Sequence, residues 1–343
     1  MGVGARVRGG GGGATRGHGF GERGARACRS ERAMTGAEHE ARPVAVVTGA
    51  SRGVGKGVAL ALGDAGYRVY LSGRTETGPL SIGATAEEVA RRGGEGVPVR
   101  VDHAVDAEVE ALFRRVEEES GRLDVLVNNV FAIPKERMWG VPFWEQPIHL
   151  WDQMHTVGLR SHYVASVHAA PLMVRAGRGL IANVSSFAGA GFQLNVAYGV
   201  GKAGVDRLAA DMAHDLKPHG VTSLSLWPGI VRTEWVMAQE ELPFSTEVSE
   251  SPELTGRAVA ALAADPELLA RTGRVWIVAE LAESYGFTDV DGTRPPSLRA
   301  LAREARAKEK ARQQSQQQQS QQQQSQQSQQ QQSQRENGAE GER

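Results

Sequence analysis

The chain has 343 residues, 39 Lys and Arg against 40 Asp and Glu, and a formal net charge of −1. So even a balance leaves no broad basic surface for nucleic acid, and no apolar run is long enough to span a membrane. The single cysteine, Cys28, excludes an intrachain disulfide and a cysteine-based zinc site, which fits a cytoplasmic protein and predicts no metal.

Residues 1–41 are rich in Gly and Arg with few large apolar side chains, so they cannot bury enough surface to offset chain entropy and are expected to be disordered. They lack the hydrophobic middle of a secretory signal, and their glycines oppose the amphipathic helix of an organelle presequence. A start at Met34 would reduce them to a short lead-in. The domain is expected over 42–306. From 307 to 343 the chain is charged and then almost pure Gln and Ser, a low-complexity tail with nothing to form a core.

The first strand is expected over 44–48, β-branched and apolar. It runs into TGASRGVGKG (48–57). Glycine removes the Cβ that keeps a ligand from the backbone, and a strand, a Gly turn and a helix N-terminus together make an anion site. The Gly55-Lys56 pair imitates the phosphate loop of ATPases and GTPases. That loop, however, needs a glycine five residues before Gly55, where Ala50 stands, and a hydroxyl after the lysine, where Gly57 stands. Gly49, Gly53 and Gly55 remain, a G-x-x-x-G-x-G spacing in the context of a dinucleotide turn.

Short apolar strands then alternate with amphipathic helices, the pattern of a parallel sheet covered on both faces. Further strands are expected over 68–71, 97–101, 125–128, 180–184, 221–227 and 275–278. A helix is expected over 197–217, with Val205, Leu208, Met212 and Leu216 on one stripe and Pro218 as its stop. The fold class is α/β: a Rossmann-type, doubly wound parallel sheet of about seven strands in one domain with disordered ends. Ligands of such sheets bind beyond the carboxyl ends of the strands. Past the fifth strand stand Ser185 and Ser186, followed by Tyr198 and Lys202, four apart on one helix face. An ammonium there lowers the phenol pKa and makes Tyr198 usable as an acid or base.

Four ordered motifs, TGASRGVG (48–55), LDVLVNN (123–129), YGVGK (198–202) and WPGIVRTE (227–234), resemble those of the short-chain dehydrogenase/reductase family over about 43–299. The resemblance implies an NAD(P)-dependent oxidoreductase. Tyr198 would exchange a proton with a carbonyl or hydroxyl oxygen, Lys202 would hold the nicotinamide ribose, and Ser186 would hydrogen-bond the substrate oxygen, with Ser185 as the alternative. The cofactor would lie on Gly49, Ser51, Arg52, Gly53, Val54, Gly55, Arg74, Asp102, Asn128, Pro228, Val231 and Thr233, besides Tyr198 and Lys202. A homo-oligomer is also implied. Two departures stand out: Gly158 occupies the place of the family's usual helix Asn, and Val130 and Phe131 follow the paired asparagines where Ala-Gly is usual.

At the end of the second strand Ser72-Gly73-Arg74 stands where an acid would accept the adenosine ribose hydroxyls. Arg74 and Arg52 could meet a 2′-phosphate, so NADP(H) is favoured over NAD(H); stacking of Arg74 on adenine is the other reading. Asp102 is expected to meet the adenine amine or to cap a helix. Phe131, Met138, Trp139, Phe143, Trp144 and Trp151, with Trp235, Met237, Leu242 and Phe244, form a candidate wall for a bulky apolar carbonyl or alcohol. His155, His162 and His168 read as packing or surface residues. A catalytically idle dinucleotide-sensing or scaffold protein is the alternative, motivated by Gly158 and the Gln-rich tail.

Overall fold

The computed structural model describes residues 42–136 and 139–340, with side chains through 319 and at 321. Cys28 and Met138 lie outside the described residues. Seven parallel strands form one sheet: β1 Val44–Thr48, β2 Arg68–Gly73, β3 Glu95–Arg100, β4 Val125–Asn128, β5 Gly179–Val184, β6 Val221–Trp227 and β7 Val275–Ile277. Their order is β3-β2-β1-β4-β5-β6-β7. The winding direction reverses between β1 and β4, which pair through Ala45–Val125, Val46–Leu126 and Val47–Val127. That reversal opens a crevice at the carboxyl ends, where ligands of such sheets bind. β3 carries Pro98 and lies at the edge, where a missing amide proton breaks no ladder.

Both faces of the sheet are covered because successive side chains of a strand point to opposite sides. Ala45 and Val47 join one core with α1 (Gly53–Asp64), α2 (Ile82–Arg91), α8 (Pro252–Ala263) and α9 (Val278–Tyr285). Val44 and Val46 join a second core with α3 (Asp106–Ser120) and α5 (Ser161–Ala176). Near-continuous apolar runs such as VAVVT are what a two-sided buried strand requires. Gly57, which disqualified the phosphate-loop reading, has a packing role. A Cβ there would lie 2.3 Å from the backbone of Pro252, and one on Gly256 would lie 2.5 Å from the Gly57 carbonyl oxygen, so α1 and α8 touch backbone to backbone.

α4 (His149–His155) and α5 are joined by a π-helical turn, Thr156–Arg160. α6 (Val196–Leu216) is the expected long helix, and a 3-10 turn at Lys217–His219 closes it beside Pro218. Its fully buried stripe is Val205, Ala209, Ala213 and Leu216, with Leu208 and Met212 only half-buried. The expected stripe was rotated because large side chains were counted and the small alanines that let α6 approach the sheet were not. α7 (Glu234–Met237) is a short turn after β6. α10 (Leu298–Glu340) carries the Gln-rich tail as one helix. Gln, Glu, Lys, Arg and Ala are good helix formers, and the described side chains beyond Leu301 are exposed, as expected of a segment with nothing to bury.

Candidate active site

The turn between β1 and α1 is shaped for an anion. Gly49 and Gly53 adopt φ of +69° and +55°, which side chains rarely take. A Cβ on Gly55 would stand 2.3 Å from the Gly49 carbonyl oxygen and 2.4 Å from Asn129 Nδ2. Asn129 holds the turn from the other side, donating to the carbonyls of Thr48 at 2.9 Å and Gly49 at 3.2 Å. Thr48 Oγ1 in turn accepts from the amides of Asn129 at 2.9 Å and Val130 at 3.1 Å. α1 has no side-chain cap on its N-terminus and no acid in its first turn. One of its orphan amides, Gly53 N, donates 2.8 Å to the Glu234 carboxylate, a stand-in for an anion at the positive end of the helix. This glycine cradle fits a dinucleotide pyrophosphate. Ser51 and Val54 are half-buried at the same turn.

The Arg52 and Arg74 side chains are exposed and make no ion pair or hydrogen bond among the described residues. No acid ends β2: Ser72 Oγ instead shares a hydrogen bond of 2.8 Å with His103 Nε2, and burial pushes that imidazole down to about 4. His103, unnoticed in the sequence, is thus a neutral strut between the end of β2 and the turn after β3. Asp102 accepts the Ala104 amide at 3.0 Å in the turn before α3; it does not cap that helix, whose N-cap is Val105 with no side-chain cap bond. Asn128 is fully buried, and its amide donates to the His162 carbonyl at 3.3 Å, Ser166 Oγ at 3.0 Å and Asn183 Oδ1 at 3.0 Å. It ties β4 to β5 and α5, so it acts on the crevice through the frame.

The Ser-Tyr-Lys set comes together at the start of α6. Asn195 caps the helix by accepting the Tyr198 amide at 2.8 Å, next to Leu194, the one non-glycine with positive φ among the described residues. The Ser186 hydroxyl, which accepts the Ala188 amide at 3.2 Å, lies close enough to the Tyr198 phenol to draw its pKa down. Ser185 instead donates 3.1 Å to the Lys202 backbone carbonyl and is buried. The two serines therefore divide: Ser186 faces the phenol and Ser185 braces the helix. Burial raises the Tyr198 pKa, and the downward pull comes from Ser186; Lys202 Nζ lies 5.8 Å from the phenol ring centroid. The expectation that Lys202 would by itself lower the phenol pKa is corrected accordingly: without a ligand, burial outweighs it.

Lys202 is 7 % exposed, donates to the Val184 carbonyl at 3.1 Å, and is pushed by burial down to about 8, with Asp206 pulling the other way. Asp206 was missed in the sequence, although it stands four residues after Lys202 on the same face. It accepts from Ser225 Oγ and from Trp227 Nε1 at 3.0 Å, and so anchors α6 to β6.

Past β6, Pro228 is buried and Val231 pairs with Glu250 in an isolated bridge. Thr233 accepts the Val236 amide at 3.2 Å, and its Cγ2 lies 3.3 Å from where a Gly53 Cβ would stand, so this segment closes on the glycine turn. Glu250, behind it, is pushed by burial up to about 8, with the Gly229 backbone pulling the other way. Of the candidate wall, Phe131, Trp139 and Trp235 gather with Leu194 and Tyr198 around Met154 and Ala197. Trp139 and Trp235 meet edge to face at 6.3 Å. Phe143 and Trp144 pack on each other at 5.3 Å but are 62 % and 72 % exposed, outside that cluster. Leu242 and Phe244 are half-buried and Met237 is exposed. The histidines pack as expected: His155 stacks on Trp151 at 3.9 Å, His168 on Phe113 at 6.3 Å, and buried His162 meets the Val130 carbonyl. No group of residues able to hold a metal ion occurs among the described residues, and no helix there is long and apolar enough to cross a membrane.

Residues 43–242 match the profile of the short chain dehydrogenases. Over 266 residues the chain is 48 % identical to "Dehydrogenase/reductase SDR family member 1" of Mus musculus and 47 % to that of Homo sapiens, covering 73 % of this chain and 83 % of each relative. A metagenomic short-chain oxidoreductase solved in complex with NADP is similar over 68 % of this chain and 95 % of its own, with a TM-score of 0.57 and 30 % identity. A glycine cradle at the reversal of the sheet, a Ser-Tyr-Lys set beside it and these matches lead to one conclusion: the chain belongs to the short-chain dehydrogenase/reductase family of oxidoreductases.

Proposed function

We propose that the protein interconverts a carbonyl and an alcohol on a bulky apolar substrate with NADP(H), Tyr198 exchanging the proton. The observation that carries this is the meeting of Ser186, Tyr198 and Lys202 beside the glycine cradle, against a wall of Phe131, Trp139 and Trp235. The dinucleotide, when bound, supplies or accepts the hydride. Gly49, Gly53 and Gly55 would let its pyrophosphate approach the backbone, with Ser51, Val54 and Thr233 around it; Pro228 and Val231 would line the nicotinamide end, and Asp102 would meet the adenine. In reduction Tyr198 gives its proton to the substrate oxygen, and in oxidation it takes one. Ser186 hydrogen-bonds that oxygen where charge develops. The Lys202 ammonium, 5.8 Å from the phenol ring centroid, would hold the ribose. Exposed Arg52 and Arg74, with no acid at the end of β2, support NADP(H) over NAD(H).

The test is to screen purified full-length protein with NADPH against apolar ketones, aldehydes and steroids, beside Tyr198→Phe. Turnover by the parent and its loss in the variant, with NADPH binding kept within about twofold, is the expected outcome. Equal rates in both proteins would overturn the mechanism.

A further inference from the structure

Gly158 and Phe131 both depart from the family pattern, and the fold makes them one feature. A Cβ on Gly158 would stand 2.7 Å from Phe131 Cδ2 and 3.0 Å from Cε2, so any other residue at 158 displaces the ring. Seated there, the ring meets Tyr198 edge to face at 5.7 Å. Lys202 Nζ lies over its face, 5.3 Å from the centroid, inside the range of about 6 Å for a cation on an aromatic quadrupole. An ammonium has three protons to place, and Val184 takes one. The other ionisable groups around Lys202 are few. Tyr198 and Asp206 share its helix, Asp206 favouring the charge. His162 on α5 is held neutral by burial, pushed down to about 3, and His155 on α4 rests against Gly201.

From this geometry we infer that Phe131, in the space that Gly158 leaves open, is a positioning residue: its π face holds the Lys202 ammonium and its T-shaped contact orients Tyr198. The helix side chain missing at 158 is thereby replaced by an aromatic contact from the loop after β4. The role rests on the reading of Tyr198 and Lys202 as the reactive pair, but its test does not depend on turnover. The chain has six lysines, and among the described residues only Lys202 is buried. Labelling lysine Cε with carbon-13 and titrating the full-length protein by NMR therefore reads Lys202 directly, with Lys202→Arg assigning its signal.

Phe131→Leu keeps an apolar side chain and removes the quadrupole. It is expected to lower the Lys202 titration by about half a unit to one unit, roughly three- to tenfold in the protonation equilibrium. Phe131→Tyr, which keeps an aromatic face, is expected to titrate as the parent does. Gly158→Ala, whose methyl displaces the ring, is expected to lower the titration as Phe131→Leu does, and it decides the matter if that variant fails to fold. An unchanged Lys202 titration in folded Phe131→Leu or Gly158→Ala overturns the proposal. Tyr198→Phe tests the underlying mechanism separately, through turnover alone.

Discussion

Arg74 stands exposed just past β2, its side chain in no ion pair among the described residues, and the choice of cofactor turns on what it touches. A charge-assisted contact to a 2′-phosphate is worth about 1.5 to 3 kcal/mol. Arg74→Ala should therefore weaken NADPH binding roughly tenfold or more and leave NADH binding almost unchanged, as a fluorescence titration with both cofactors would read. Equal weakening of both would make Arg74 an adenine-stacking residue. The glycines, Tyr198 and Lys202 were legible in the sequence because their spacing is their function. The division of labour between Ser185 and Ser186 was not, since adjacent residues face different ways only once β5 and α6 pack, and that packing turns Ser185 onto the Lys202 carbonyl.

At the scale of elements, the segment after β6 is held to the chain behind it by Glu250. The Gly229 backbone draws its carboxyl pKa down against burial, its own backbone pairs with Ile230 and Arg232, and its Oε1 has no partner among the described residues. Folding raises this group from 4.5 to about 8. Between those values the folded state binds more protons than the unfolded one, so the contribution of Glu250 to stability is present below 4.5 and is lost as pH rises to about 8. Glu250→Gln keeps an acceptor beside Gly229 and removes the titration. It should melt several degrees above the parent at pH 8, on the order of 4 kcal/mol, and close to the parent at pH 5. Thermal melts across that range check it, and equal curves would show that Glu250 is not protonated in the folded state. Nothing in the sequence marked Glu250, because an isolated acid between serines looks like an ordinary loop residue until the chain folds over it.

For the whole molecule, the parallel sheet brings the carboxyl ends of its strands to one side, and α10 carries the tail. Ser297 and Arg299 both bond Glu280 on α9, so the first turn of α10 is tied to the domain. Beyond Leu301 the described side chains are exposed. Ending the chain after Arg306 keeps those bonds and should shift the melting temperature by less than about 2 °C, with turnover unchanged. A larger fall in melting temperature would show that the tail packs on the domain.

Strand positions, their alternation with helices, the glycine cradle and the Tyr-Lys pair were determined by the sequence itself. Each is a local pattern in which hydrophobic period, glycine spacing or helical register leaves a mark within a few residues. Only the tertiary structure decided what faces these groups. Phe131, just after β4, reaches Gly158 before α5 and Lys202 on α6, and Glu234 reaches Gly53 from 181 residues away. Asp206 became an anchor when β6 came to lie beside α6. The physical reason is one: such contacts are set by which strands lie side by side, and strand order is not written in any local period.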